Sequence, residues 1–359
     1  MFDTLPLAPP DPILGLGEAF NNDPREGKIN LSVGVYKDEQ GNTPILACVK
    51  EAERRLLECE KTKGYLSIEG LAEYDGRVQE LLFGAGHEIV KSARAITAQT
   101  PGGTGSLRVA ADFLKKHFPA ARVWLSKPTW ANHQAIFQAA GQATETYAYL
   151  DAAGTGLDFS AMRGALEKIP AGDVLLLHAC CQNPTGIDPT PGQWREIAAI
   201  CSQRGILPLV DFAYQGFGDG LEEDALGLRE LASVNAELLV SSSFSKNFGL
   251  YCERVGALTV VTQSADAAQR ALSQVRISIR TNYSNPPQHG GAIVAAVLSD
   301  AELRKQWEHE LTAMRTRIHH MRRQFVESMR SKSPKFDFSF IQRQKGMFSF
   351  SGLTNMQVD

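Results

Sequence analysis

The strongest constraint in this chain is an alternation of period that runs from about residue 100 to 262, where short apolar runs take turns with segments of helical spacing. Residues 103–118 place Leu107, Ala110, Ala111, Leu114 and Phe118 on one face, which predicts an amphipathic helix. Residues 122–126 fit a strand, 131–140 a helix and 144–150 an extended segment. Residues 173–179 form a nearly continuous apolar run, the pattern of a strand buried on both faces. Residues 191–204 read as a helix with Pro191 in its first turn, and 206–211, 237–242 and 255–262 supply further strands. Strands separated by helical segments need crossover connections. The expected fold class is therefore α/β, a mostly parallel central sheet with helices on both faces.

At about 150 residues per domain, a chain of 359 residues has room for two. Its 37 basic and 40 acidic side chains give 37 − 40 = −3, which offers no electrostatic footing for nucleic acid or an anionic membrane. Apolar stretches such as 290–298 fall well short of the ~20 residues of a membrane span. The first six residues carry neither a basic nor an apolar leader region, so a cytoplasmic location is expected. Six cysteines without a C-x-x-C pair read as buried free thiols. The apolar first dozen residues, with Pro6, Pro9, Pro10 and Pro12, read as an extended arm that must pack on something. Beyond Ala301 one long charged helix is expected, its basic run 314–323 a solvated face with Ile318, Met321 and Phe325 turned inward.

Ligands of open α/β sheets sit beyond the carboxyl ends of the strands. Three polar residues follow predicted strands there: Asn183, Asp211 and Lys246. A buried lysine has a depressed pKa and attacks a carbonyl as the free amine. A carboxylate beside the ring nitrogen of pyridoxal phosphate keeps that nitrogen protonated and the ring an electron sink. Gly102-Gly103-Thr104-Gly105 opens a helix with free N–H groups, a cradle for phosphate, with Ser243, Ser245 and Arg254 as further donors. No G-x-G-x-x-G follows a strand, the glycines of 216–220 have the wrong spacing for a dinucleotide, and no H-E-x-x-H or other metal-ligand spacing occurs.

These segments, together with Asn183-Pro184-Thr185-Gly186, Asp211-Phe212-Ala213-Tyr214-Gln215, the stretch around Lys246 and Asn282-Tyr283-Ser284-Asn285-Pro286-Pro287, resemble the bacterial aspartate aminotransferases. These are fold-type I pyridoxal-phosphate enzymes of subfamily I-alpha, and the likeness spans essentially the whole chain. The resemblance implies catalysis by Lys246, Asp211 and Tyr214, with Lys246 joined to the cofactor and Asp211 paired with its ring nitrogen. It implies that Tyr214 and Asn183 bond the cofactor's phenolic oxygen, that Trp130 stacks on its ring, and that Gly103, Thr104, Ser243, Ser245 and Arg254 hold its phosphate. His133 and His178 would stand behind Asp211.

The family is homodimeric with shared sites, so Tyr65 would reach the neighbour's phosphate and Arg280 would cross over to a substrate side-chain carboxylate. Gly34, Trp130 and Asn183 would complete substrate binding. The implied domains are an arm (1–11), a small domain (12–44 with 314–359) and a large cofactor domain (45–313). A second arginine of the family, near its C-terminus, has no counterpart before Asp359, so the chain is expected to be a piece of a longer enzyme. The expected reaction is transfer of the amino group of L-aspartate to 2-oxoglutarate, in ping-pong order. An aromatic-amino-acid aminotransferase of the same subfamily, a lyase on the same fold and a non-catalytic cofactor-binding remnant are the alternatives.

Overall fold

The computed structural model describes residues 1–9, 14–30 and 34–353. Pro10 and Pro12 of the expected arm, the positions 32 and 33 beside Gly34, and the domain limits at 11, 12 and 359 lie outside these residues. The chain divides into two compact units, Met1–Thr43 and Pro44–Asp359. In the first, a short turn at Phe2–Thr4 precedes a helix at Leu14–Asn22, and Met1, Phe2, Leu5 and Leu7 are exposed.

The second unit is built on seven strands: β1 (Ala95–Pro101), β2 (Val123–Lys127), β3 (Thr144–Ala148), β4 (Val174–His178), β5 (Leu207–Phe212), β6 (Leu238–Ser243) and β7 (Val255–Val261). They form one sheet in the order β1-β7-β6-β5-β4-β2-β3. The stretch from β3 to β6 is parallel, while β7 runs antiparallel to both β6 and β1. The mostly parallel α/β sheet expected from the alternation is the one observed. Every residue of β4, β6 and β7 is buried, which is why β4 and β7 read as nearly apolar runs with no alternation.

The helix Pro191–Arg204 shows how local sequence sets its own limits. Thr190 Oγ1 accepts from the Gln193 amide, and the Gln193 side chain accepts from the Thr190 amide, a reciprocal cap of the first turn. Gly205 ends the helix in the left-handed region at φ 66°, where a Cβ is unwelcome. The core lies between the sheet and helices that include Gly102–His117 and Ala265–Asn282, through Leu107, Leu114, Val275 and Ile279.

Several expectations need correction. Strand β1 begins before the alternating region and carries no apolar run. Its polar side chains find partners distant in sequence: Thr97 Oγ1 lies 2.8 Å from Thr259 Oγ1 in β7, and Gln99 Nε2 donates to the Pro287 carbonyl at 2.7 Å. The long helix spans Ala301–Lys332, started by Asp300, whose carboxylate accepts from the Glu302 and Leu303 amides. Its inward stripe is Leu303, Trp307, Leu311, Met314, Arg322 and Val326. Steps of three and four from Leu303 leave Ile318 half-buried and put Met321 and Phe325 on the flank, 45% and 41% exposed. Cys48, Cys180, Cys181 and Cys201 are buried free thiols, but Cys59, at a helix end, and Cys252, in the turn before β7, are exposed.

Candidate active site

Strands β4, β5 and β6 lie side by side, with His178 level with Asp211 and Asp211 level with Ser241. Their carboxyl ends therefore deliver Asn183, Asp211 and Lys246 to one edge of the sheet. Lys246 Nζ stands 4.9 Å from the centroid of the Tyr214 ring. Asn183 Nδ2 reaches the Tyr214 hydroxyl at 3.5 Å. Desolvation lowers the Lys246 pKa, opposed by the charge of Asp211 and reinforced by that of Arg254. Burial raises the Tyr214 pKa well above the ordinary phenol, so its hydroxyl keeps its proton.

Asp211 is buried, and burial alone would raise its pKa. The hydrogen bond from His133 outweighs it, helped by the charge of Lys246, so the carboxyl is held below its ordinary range. His133 Nε2 lies 2.9 Å from Asp211 Oδ2, and Thr129 Oγ1 lies 2.8 Å from His133 Nδ1. A carboxylate only accepts, so Nε2 carries the proton. His178 is packed 5.1 Å from His133, ring centre to ring centre. Burial and the neighbouring His133 push its pKa down to about 3 against the pull of Asp211. Both of its ring nitrogens are buried without partners among the described residues. Trp130, half-buried in the loop after β2, sets its ring edge-on to His133 at 5.2 Å.

The second cluster forms where β1 runs straight into the helix Gly102–His117. That helix's N-cap residue, Pro101, offers no side-chain cap. Gly102 has φ +75°, and a Cβ there would come within 2.5 Å of Arg254 Nη2; one on Gly103 would come within 3.1 Å of Ser243 Cβ. The two glycines thus keep the first-turn backbone open beside Arg254 and Ser243. Arg254 Nη1 reaches Ser245 Oγ at 3.4 Å, and the Ser245 amide donates to Ser243 Oγ at 3.3 Å. Thr104 lies in the same first helical turn. An open helix N-terminus, a guanidinium and two hydroxyls suit a dianionic phosphate group. The residues present therefore fit pyridoxal phosphate at both ends, a lysine with an ionised carboxylate at one and an anion cradle at the other.

Two other predicted residues stand in solvent. Tyr65 is 96% exposed. Arg280 is exposed near the end of Ala265–Asn282 and donates to Ser284 Oγ. Among the described residues neither is joined to the Lys246 group by a hydrogen bond, ion pair or ring contact. Gly34 belongs to the unit Met1–Thr43.

Sequence reasoning passed over Gln182, which is buried and fully engaged. Its Nε2 donates to the Pro128 carbonyl at 2.8 Å and to Ser126 Oγ at 3.2 Å, and its Oε1 accepts from the Thr185 amide at 3.0 Å and the Thr185 hydroxyl at 2.5 Å. It therefore ties the loop bearing Trp130 to the loop bearing Asn183. A lone amide side chain after an apolar run, directly before Asn183, was the available signal.

The fold and this site define an α/β enzyme centred on a lysine amine at the carboxyl edge of its sheet. The chain belongs to the aminotransferase class I and II family, whose match covers residues 26–358. It is 57% identical over 359 residues to an aspartate aminotransferase of Haemophilus influenzae, a match covering 100% of this chain and 91% of that protein. It is 47% identical over 360 residues to an aromatic-amino-acid aminotransferase of Escherichia coli, covering 100% and 91%. A solved aromatic-amino-acid aminotransferase from Burkholderia pseudomallei, covalently bound to pyridoxal phosphate, superposes with a TM-score of 0.97 at 50% identity, covering 99% of this chain and 90% of that one.

Proposed function

We propose that this protein transfers the amino group of L-aspartate to 2-oxoglutarate, giving oxaloacetate and L-glutamate in two half-reactions that share pyridoxal phosphate. The observation that carries the reading is the lysine–aspartate pair at adjoining strand ends, set within a chain 57% identical to an aspartate aminotransferase. When bound, pyridoxal phosphate supplies a carbonyl for amines and an electron-accepting ring.

The remaining work falls to residues of the chain. Asp211, kept ionised by His133, places a fixed negative charge at the base of the site. Lys246, its pKa lowered by desolvation, gives up its proton more readily than a solvated lysine, so Nζ can take and return a proton at the substrate's Cα. Tyr214 and Asn183 offer donors beside that amine. Gly103, Thr104, Ser243, Ser245 and Arg254 anchor the phosphate.

Tyr65 and Arg280 act across the interface of a homodimer, which gives both exposed side chains a task. Gly34, Trp130, Asn183 and Arg280 receive the substrate. The organisation that suits this scheme is an arm, a small domain drawn from both ends of the chain (12–44 with 314–359) and a large domain (45–313). No helix among the described residues is long and apolar enough to cross a membrane, and we place the enzyme in the cytoplasm.

The test is the visible spectrum of the protein supplied with pyridoxal phosphate. A band that disappears on adding aspartate and returns with 2-oxoglutarate is expected. A band that ignores aspartate, or no band, would overturn the reading. Lys246→Ala should abolish the band and lower turnover by at least ~10³-fold while the protein stays folded. The similarity to aromatic enzymes favours a side activity, so phenylalanine should serve as a donor with kcat/KM about tenfold or more below that of aspartate.

A further inference from the structure

Arg322 lies on the inward stripe of the helix Ala301–Lys332 and is 5% exposed, yet no carboxylate pairs with it among the described residues. Its guanidinium is spent on one loop. Nη1 donates to the Gln344 carbonyl at 2.8 Å, Nη2 to the carbonyls of Gly346 and Phe348, the latter at 2.6 Å, and Nε to Ser349 Oγ at 3.1 Å. Burial without a counter-ion draws its pKa down to about 10, a cost that an ordinary surface arginine avoids.

The loop is closed on itself as well. The Gln344 side chain accepts from the Phe350 amide and donates to the Phe350 carbonyl, both at 2.8 Å. Its outer face rests on the segment that carries Asn183. The Lys345 amide donates to the Gly186 carbonyl at 2.7 Å, and a Cβ on Gly346 would collide with Cys181. From this loop the Phe348 ring meets the Tyr214 ring edge-on, with centroids 6.3 Å apart and planes at 80°. Tyr214 in turn is the ring over which Lys246 Nζ stands.

We propose that Arg322 is a positioning residue for the reaction: by gathering three carbonyls of residues 344–348 it fixes Phe348 against Tyr214 and so shapes one wall of the lysine pocket. A hydrophobic residue at 322 could fill the volume but could not gather the carbonyls, which would then be buried without donors. The inference rests on the aminotransferase reading. That reading is tested first, by the response of the unaltered enzyme to aspartate, so its failure is seen before any variant is made.

The experiment compares the holoenzyme with Arg322→Lys, Phe348→Leu and the double variant. An ammonium keeps the charge but lacks the planar fork that serves four acceptors at once. Arg322→Lys is expected to retain the cofactor band, to raise KM for aspartate and to lower kcat/KM about tenfold. Phe348→Leu should do much the same. If the arginine acts through Phe348, the double variant will be no worse than about tenfold, because the second change removes what the first has already misplaced. Losses that multiply to about a hundredfold, or kcat/KM within twofold of the unaltered enzyme in Arg322→Lys, would overturn the proposal. Gln344→Leu opens the same loop with Arg322 intact and should give the same rise in KM. An unchanged KM there would count equally against it.

Discussion

Two buried aspartates at opposite ends of neighbouring strands show how one sheet separates stability from chemistry. Asp173 stands just before β4, and Asp211 near the carboxyl end of β5; they are 5% and 7% exposed. Asp173 spends both oxygens on the fold: Oδ1 accepts from the Arg122 amide at 3.0 Å, and Oδ2 from Arg122 Nε at 3.0 Å and Trp124 Nε1 at 2.8 Å. Among the described residues, Asp211 has a side-chain hydrogen bond only at Oδ2, from His133, with the Lys246 charge close enough to lower its pKa. Parallel strands aim the helix N-termini and loops that follow them at the carboxyl edge, so spare polar capacity accumulates there. At the amino edge a buried carboxylate has no such audience, and it is stable only when saturated.

The comparison would break if the two residues failed in the same way. Asp211→Asn keeps the shape and removes the charge. It should lower kcat by ~10²-fold or more and leave the thermal midpoint nearly unmoved, as read by steady-state kinetics beside circular dichroism. Asp173→Ala should do the reverse. With Trp124 Nε1 and the Arg122 donors stranded, it should cost about 2–3 kcal/mol in urea denaturation, while kcat per folded molecule stays the same. Equal kinetic losses in both variants would mean that the site extends through the sheet and that the division by strand end is wrong.

The same contrast explains what the sequence could reveal. A strand buried on both faces announces itself as an apolar run, and a polar residue just past such a run marks the binding edge. This is why Asn183, Asp211 and Lys246 were legible together. Strand β1 was not, because Thr97 and Gln99 find their partners in β7 and at Pro287, and such long-range pairings leave no local period. Arg322 was hidden for a related reason. In a run containing Arg315, Arg317, Arg322 and Arg323, only the carbonyls of a loop some twenty residues away distinguish the buried one. Tyr65 and Arg280 were singled out by family resemblance, and a single chain leaves both in solvent.

A third buried aspartate sharpens the contrast by satisfying neither pattern. Asp75, in the first turn of the helix Ala72–Phe83, is 8% exposed and its Oδ1 is buried with no partner among the described residues. Burial and the nearby charge of Glu69 push its pKa from 3.8 up to about 9, against a small opposing contribution from the Gln99 backbone. In the folded chain the carboxyl keeps its proton to about pH 9, whereas in the unfolded chain it releases it near 3.8. Across that window the unfolded state binds fewer protons, so this group makes stability fall as pH rises. Asp75→Asn removes the titration and nearly preserves the shape. The variant should therefore gain on the unaltered protein as pH rises from 5 to 8, by up to ~1 kcal/mol per pH unit, with little difference between the two below pH 4. Urea denaturation at three pH values reads the slope directly. A variant at the same disadvantage at every pH from 5 to 8 would show instead that Asp75 is ionised and paired in the folded protein, because neither state then changes its protonation in that range.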